Sequence, residues 1–396
     1  MNNYSVIRLD SVQALLDAQF AWDDLWWRSE CTWPTLRAAL IAQWVQRFAP
    51  QRQFEALVVE HQGAWLAALP LLRRRYCALP VGVLTSNPWA PCGELLLDST
   101  CDEPAVINAL LGALRNDGGL LWLDGVCVLS KRWQQFAQRC HTFGLPCHVR
   151  CATEVGWLEI EGNWEKYKAS LSRSHRQAMT KASRRLEQAG RVQLDMRCEL
   201  SGDELPELLY SGFEVEDRSW KGQAGSSVLR AVGMFDYFLD QAKQLATWRQ
   251  LVLVWLRLDG RPIAFLYGYL AKNVLHAFKI GYDQQYATYS PGQLLFFYLL
   301  ERLHYDGQCR AVDFMGPLTE AASRWRPASY STGRVAVAAA GLLARAALWG
   351  YRRMWPPVRS LRDRLTQRPG AHGADKPARR TSAEKSSSAD PVTFVR

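Results

Sequence analysis

The sequence predicts an α/β protein of two tandem domains built to a similar plan, each a mixed β-sheet flanked by helices, over residues 1–154 and 155–333. Length is the first observation behind this. The chain has 396 residues, more than one ordinary core accommodates, and its 48% apolar content can fill two. The second is a repeated order of elements: helices, hairpin, further strand, helix, short strand. The third is a matching pair of hairpins. FEALVVEHQGAWLAALPLL at 54–72 and QLVLVWLRLDGRPIAFLYGYL at 250–270 both read as strand, polar turn with glycine, strand.

In the first half, Leu15, Leu16, Phe20 and Trp22–Trp27 recur at helical spacing, and Leu36–Phe48 is a second amphipathic stretch. Phe54–Glu60 and Ala64–Leu72 flank the turn His61-Gln62-Gly63. Pro80–Cys92 reads as loop because Leu-Pro-Val-Gly, Ser-Asn-Pro and Ala-Pro follow one another. A strand at Glu94–Leu97 comes next, then a helix at Pro104–Arg115 with proline in its first turn. Leu120–Leu123 is a short strand, and Trp133–Phe143 a helix stopped by Gly144. The second half opens with a strand at Val155–Ile160 and one long charged helix, Trp164–Ala189, ended by Gly190. A strand at Val192–Met196 and helices at Glu204–Asp217 and Val228–Leu245 precede the second hairpin, which turns on Asp259-Gly260. A strand at Val274–Tyr282, a helix at Pro291–Tyr305 and a strand at Ala311–Phe314 complete it.

Charge weakens one class of function. The net charge is +10, but residues 334–396 hold 13 Lys/Arg against 4 Asp/Glu, leaving 35 against 34 for the rest. The body is near neutral, so no nucleic-acid partner is expected. Ten cysteines are dispersed without a CxxC. Cys140, His141, Cys147, His148 and Cys151 crowd together, yet their spacing fits no standard zinc site, so free thiols and no metal are expected. The N-terminal MNNYSVIRLD has neither a basic start nor an apolar core, so no secretory signal is expected and the cytoplasm is the default location. Val335–Arg364 reads as a basic amphipathic helix with Trp349 and Trp355, suited to an anionic membrane surface or to packing on the body. Residues 367–396 have the composition of a disordered tail.

Several segments of the second half carry a family resemblance. They are LSRSHRQAMTKASRRLEQAG at 171–190, EDRSWKG at 216–222, RPIAFLYGYL at 261–270, FKIGYDQQYATYSPGQLL at 278–295, and VDFMGP with RWRP within 312–327. Together they resemble the bacterial GNAT acetyltransferases associated with cellulose and exopolysaccharide biosynthesis, the CelD/BcsL type, which are related to the FemAB-like aminoacyltransferases with two GNAT-like domains. The resemblance implies an N-terminal GNAT-like domain at 1–154, a GNAT acyltransferase domain at 155–333, a basic helical segment at 334–366 and the tail. It implies transfer of an acyl group from acetyl-CoA or another acyl-CoA to an amine or hydroxyl of a sugar or polysaccharide precursor. A synthase complex or the inner face of the membrane would be met through 335–364. Two other readings remain open: FemAB-like transfer from aminoacyl-tRNA, and a non-catalytic scaffold of a polysaccharide synthase.

The sharpest local pattern is Tyr289-Ser290-Pro291-Gly292-Gln293-Leu294, between a strand and an apolar helix. Ser290 suits an N-cap, Pro291 the first helical position, and Gly292 the close approach of a ligand. Such a helix start offers N–H groups to phosphate, although an ordinary capped helix has the same pattern. By resemblance, Lys279, Ile280, Gly281 and Tyr282 face pantetheine, and Ser290, Gly292, Gln293 and Leu294 face the phosphates. His175 sits in a run of Arg and Lys that reads either as a solvated face or as a basic rim with His175 as base. Asp313, at the end of a short strand, reads as base, acceptor-orienting group or loop cap. Tyr282 is placed to protonate a departing thiolate. Lys221 could pair with Glu214, Glu216 or Asp217; the resemblance instead assigns Trp220 and Lys221 to substrate. No cysteine stands in a nucleophile motif, so direct transfer is expected.

Overall fold

The computed structural model describes residues 4–200 and 202–353. The chain divides into two compact units. One comprises the described residues up to Cys31, Thr35–Thr153 and the described residues from Ser331; the other comprises Thr32–Pro34 and the described residues of Glu154–Tyr330.

In the first unit the strands run in the order Ser5–Leu9, Gln53–His61, Ala64–Tyr76, Leu79–Val83, Gly119–Val126, Ala328–Ala340. All neighbours are antiparallel except Leu79–Val83 with Gly119–Val126. In the second unit the order is Val192–Arg197, Leu251–Leu258, Arg261–Ala271, Val274–Tyr282, Ala311–Pro317 and the end of Cys147–Glu159. Here too only the fourth and fifth strands are parallel. The two sheets thus share one succession. Each is closed by a strand from elsewhere in the chain: the first by residues that follow the second unit, the second by a strand that precedes its helices.

Side-chain periodicity explains the packing. Val106, Ile107, Leu110, Leu111 and Leu114 make one buried stripe on the helix Glu103–Asp117 and fill the first core. In the second unit the helix Pro291–Asp306 buries Leu294, Leu295, Leu299, Leu300 and Leu303 on one face of the sheet. Each fully buried leucine contributes roughly 2 kcal/mol of transfer free energy. The other face meets Leu205–Asp217 and Met234–Thr247, whose Phe213 and Phe238 contact Phe265 and Tyr267.

Four expectations are corrected. Leu79–Val83 is a strand, not loop: Pro80 precedes the first parallel rung, Val81 with Leu120, so its missing N–H costs that ladder nothing. The charged helix is two, Trp164–Ser170 and Arg173–Ala189, because Leu171 turns extended and buries while Ser172 Oγ accepts from His175 N at 3.2 Å. The stretch expected as a helix from Val335 begins as the strand Ala328–Ala340. Val335 and Val337 enter one core cluster and Ala336 and Ala338 another, a period of two rather than 3.6. A helix follows at 342–353; the remainder of the expected helix and the tail at 367–396 lie outside the described residues. Finally, Ser5–Leu9 adds an edge strand not foreseen. Among the described residues, no group of three or more His, Cys, Asp or Glu is placed to hold a metal ion. No helix there is long and apolar enough to cross a membrane.

The helix Leu205–Asp217 crosses the strand Val274–Tyr282 at Gly281. A Cβ on Gly281 would stand 2.6 Å from Glu216 Cα, a backbone atom that cannot step aside. The substitution Gly281→Val is expected to lower the unfolding free energy by about 1–3 kcal/mol, read from the midpoint of urea denaturation.

Candidate active site

The site begins where two strands part. Val274–Tyr282 and Ala311–Pro317 pair in parallel through three rungs only, Val274–Ala311, Leu275–Val312 and His276–Asp313. On its other edge Val274–Tyr282 stays paired with Arg261–Ala271 as far as Tyr282, with a bulge at Phe278. Beyond His276 the strand therefore has one edge outside that parallel ladder, with backbone groups turned into the gap between the diverging strands.

The last rung is held by a buried carboxylate. Asp313 Oδ2 accepts from Trp33 Nε1 at 3.1 Å and faces His276 Nδ1 at 3.1 Å. Asp313 Oδ1 accepts from Tyr330 OH at 3.0 Å and from Met315 N at 2.9 Å. His276 Nε2 lies 3.2 Å from the Thr32 carbonyl, which can only accept, so Nε2 carries a hydrogen. Asp313 and His276 are 1% and 0% exposed. A desolvated carboxylate needs donors on both oxygens, and this one has them. Its four neighbours fix the geometry of the rung, and the segment Thr32–Pro34 is bound here rather than with the helices that flank it in sequence.

Past the bulge, side chains alternate between the faces of the strand. Lys279 and Gly281 turn towards Leu205–Asp217; Ile280 and Tyr282 pack on the opposite side, with the Pro291 helix. The four residues expected to share one ligand thus lie on two faces. Lys221 Nζ donates to Glu216 Oε1 and to the Ile280 carbonyl, both at 2.8 Å, and Glu216 Oε2 accepts from Val228 N at 3.1 Å. Lys221 is therefore paired with a buried carboxylate and also clamps the strand. Trp220 beside it is 60% exposed. Lys279 Nζ lies 4.9 Å from the Phe278 ring and 5.4 Å from Phe238. Burial pushes its pKa down to about 8; Glu216 opposes the shift and Lys221 adds to it.

At the helix start the structure corrects the expected cap. Ser290 has φ 54° and ψ 50°, a left-handed conformation, and its side chain makes no capping bond. Its carbonyl instead accepts from Gln293 N and Leu294 N, each at 3.0 Å. Pro291 has no N–H, so among the described residues the first turn leaves the Gly292 N–H without an acceptor. A Cβ on Gly292 would meet Tyr282 Cδ1 at 3.4 Å, so Tyr282 and the helix start adjoin. Gln293 Oε1 is shielded from solvent and has no hydrogen-bond partner among the described residues. Leu294 is in the core.

His175 is not on the basic rim. With Met179 and Leu186 it forms the buried stripe of its helix, 5% exposed, its ring edge-on to Trp325 at 4.6 Å. Burial and the Arg324 guanidinium push its pKa below the usual imidazole value, and Nε2 has no partner. Its neighbour Trp325 packs near Phe296, which contacts Phe314; Asp313, one residue before Phe314, points to the other face of that strand. His175 and Asp313 are thus not brought together. Sequence reasoning missed His276, Trp33 and Tyr330, whereas the pairing of Lys221 with Glu216 was among its alternatives. A lone histidine within the apolar alternation of Val274–Tyr282 was a usable signal; Trp33, distant in sequence, gave none.

Residues 173–326 match the family described as acetyltransferase (GNAT) domain. The solved structure of FemX superposes with a TM-score of 0.55 at 9% identity, covering 84% of this chain and 96% of that one. A conserved protein of unknown function from Bacteroides thetaiotaomicron VPI-5482 gives 0.50 at 13% identity, covering 85% and 100%. No curated protein matches the sequence. The match supports an acyltransferase whose GNAT-type domain spans residues 173–326. The chain as a whole has a FemX-like fold of tandem α/β units.

Two outcomes follow from the geometry. Asp313→Ala strips Trp33 Nε1, Tyr330 OH and Met315 N of their acceptor and should lower the unfolding free energy by about 3 kcal/mol or more. In a cycle with His276→Ala the double variant should lose clearly less than the sum of the singles, as calorimetric unfolding would show. Lys279 folds with a pKa near 8 against 10.5 for a solvated lysine side chain, so the fold disfavours its charged form. That penalty is full below about pH 8 and fades towards pH 10.5. Lys279→Met should therefore raise Tm at pH 7, with the gain shrinking across that interval.

Proposed function

We propose that the protein transfers an acyl group from acetyl-CoA or another acyl-CoA directly to an amine or hydroxyl of a sugar or polysaccharide precursor. The acceptor class follows the resemblance to the CelD/BcsL type. The observation that carries the donor reading is the parting of Val274–Tyr282 from Ala311–Pro317 after the His276–Asp313 rung, beside a helix start with an open Gly292 N–H. The gap offers backbone groups to an extended amide chain, and the helix start offers a donor and a dipole end to phosphate. The unpartnered Gln293 Oε1 supplies an acceptor at the same turn.

Bound there, acyl-CoA would supply an activated thioester. Backbone N–H groups on the open edge past Phe278 would hold the carbonyl oxygen as charge develops on it. Tyr282, touching the helix start, would give a proton to the departing sulfur and regain one, through solvent, from the acylated amine or hydroxyl. Lys221 keeps the Ile280 carbonyl engaged and so fixes the edge along which Lys279–Tyr282 line the donor path. Asp313 acts by holding the mouth of the gap, and His175 by packing behind the helix as a neutral ring. Trp220, with an exposed face, is placed to stack on an acceptor sugar.

We also infer a peripheral place at the cytoplasmic surface of a membrane. In the helix 342–353, Leu342, Leu343 and Trp349 are exposed alongside Arg345, Arg352 and Arg353, with no carboxylate among them.

Titration calorimetry with acetyl-CoA tests the donor reading. The wild type should bind, and Gly292→Trp, which fills the space against Tyr282, should bind at least tenfold more weakly while melting normally. Equal binding by the variant would remove the helix start from the site, and a wild type that does not bind would remove acyl-CoA.

A further inference from the structure

The helix Arg173–Ala189 carries a polar, cationic face. Opposite the stripe of His175, Met179 and Leu186, an open groove of ≈ 590 Å³ runs along it, lined by the cations Lys168, Arg176, Lys181, Arg184 and Arg185 and by no carboxylate. Arg176 is engaged with the Ala169 and Leu171 carbonyls, and Lys168 approaches Glu165 at 3.6 Å. Lys181 and Arg184 make no hydrogen bond or ion pair among the described residues. Arg185 Cζ lies 5.7 Å from the Tyr289 ring, and Tyr289 immediately precedes Ser290. Ser183 Oγ lies 2.8 Å from Tyr298 OH, further along the Pro291 helix. The groove therefore ends beside the helix start, with Lys181 only about 6 Å of helical rise from Arg185.

Five like charges gathered in a concave surface, with only Lys168 near a carboxylate, repel one another and raise the local potential for an anion. The polar lining of Gln177, Thr180 and Gln188 adds donors and acceptors between the charges. The volume suits one nucleotide. A polynucleotide would need a longer positive track, and the remaining body has 35 Lys/Arg against 34 Asp/Glu.

We propose that this groove binds the phosphorylated nucleotide end of the acyl donor, with Lys181 and Arg184 holding its 3′-phosphate. The assignment rests on the acyl-CoA reading above. It adds a subsite on an element that precedes the first strand of the second sheet's succession, outside the gap between the parted strands. Arg185 would bridge the two places, since it borders both the groove and Tyr289.

The test compares acetyl-CoA with acetyl-dephospho-CoA, which lacks only the 3′-phosphate, by titration calorimetry on the full chain and on Lys181→Gln/Arg184→Gln. Both substitutions are at exposed positions, and thermal melts check that the fold is kept. The wild type should prefer acetyl-CoA by about tenfold or more, as a charge-assisted phosphate contact gives. The double variant should lose that preference while binding the dephospho form as the wild type does. A wild type that binds both alike, or a variant that keeps the preference, overturns the subsite and leaves the donor reading standing. A wild type that binds neither overturns both. Binding of a single-stranded oligonucleotide or of anionic phospholipid vesicles that the variant loses, with acetyl-CoA affinity unchanged, would reassign the groove and overturn the proposal.

Discussion

One buried carboxylate sets the shape of the site. Asp313 stands at the last point where the Val274 and Ala311 strands still pair, and both its oxygens are turned to donors from separate parts of the second unit. A buried carboxyl group needs such partners held in place, so each of them is constrained in turn. The Met315 N–H turns the chain back towards Asp313, with Met315 itself at φ 53°. His276 passes the constraint to the Thr32 carbonyl, and Trp33 brings its own segment to the same point. If the strands kept pairing there would be no gap; if the rung were loose the gap would have no fixed origin.

The consequences spread along Val274–Tyr282 in two directions across the sheet. One face carries charge: Lys279, with Lys221 and the buried Glu216 close by, packed so tightly that only glycine fits at 281. The other carries Ile280 and Tyr282 against the Pro291 helix. A group lying along the open edge would be met by chemistry of different kind on its two sides, apolar and phenolic on one and cationic on the other. The clamp from Lys221 to the Ile280 carbonyl keeps that edge straight without a neighbouring strand to do so.

Much of this was legible in the sequence because it rests on local rules. Asp259-Gly260 between two apolar runs specified the second hairpin, and Gly190 and Gly144 ended helices, since turn and cap preferences act over a few residues. The repeated order of elements correctly indicated two similar sheets. The failures have a common cause. Ser290 was a good cap by type, but its backbone takes a left-handed turn after the short helix Gln284–Tyr289. His175 lies in a basic run, yet spacing to Met179 and Leu186 puts it inside. Val335–Ala340 is composed of residues that suit either period, and only a partner strand decides between them. The Asp313 cluster joins Trp33, His276 and Tyr330, which no short window contains.

The way the two sheets are closed bears on how the chain comes to be made. The strand pairing with Gly119–Val126 is Ala328–Ala340, which lies beyond the whole of the second unit. During synthesis from the N-terminus, the first sheet must wait with that edge of Gly119–Val126 unfilled until some two hundred further residues have left the ribosome. The second unit, whose strands all lie between 154 and 317, can close first. The later-made sheet can therefore pair its strands before the earlier one, and Ala328–Ala340 then brings Tyr330 to Asp313 and fills the edge of Gly119–Val126.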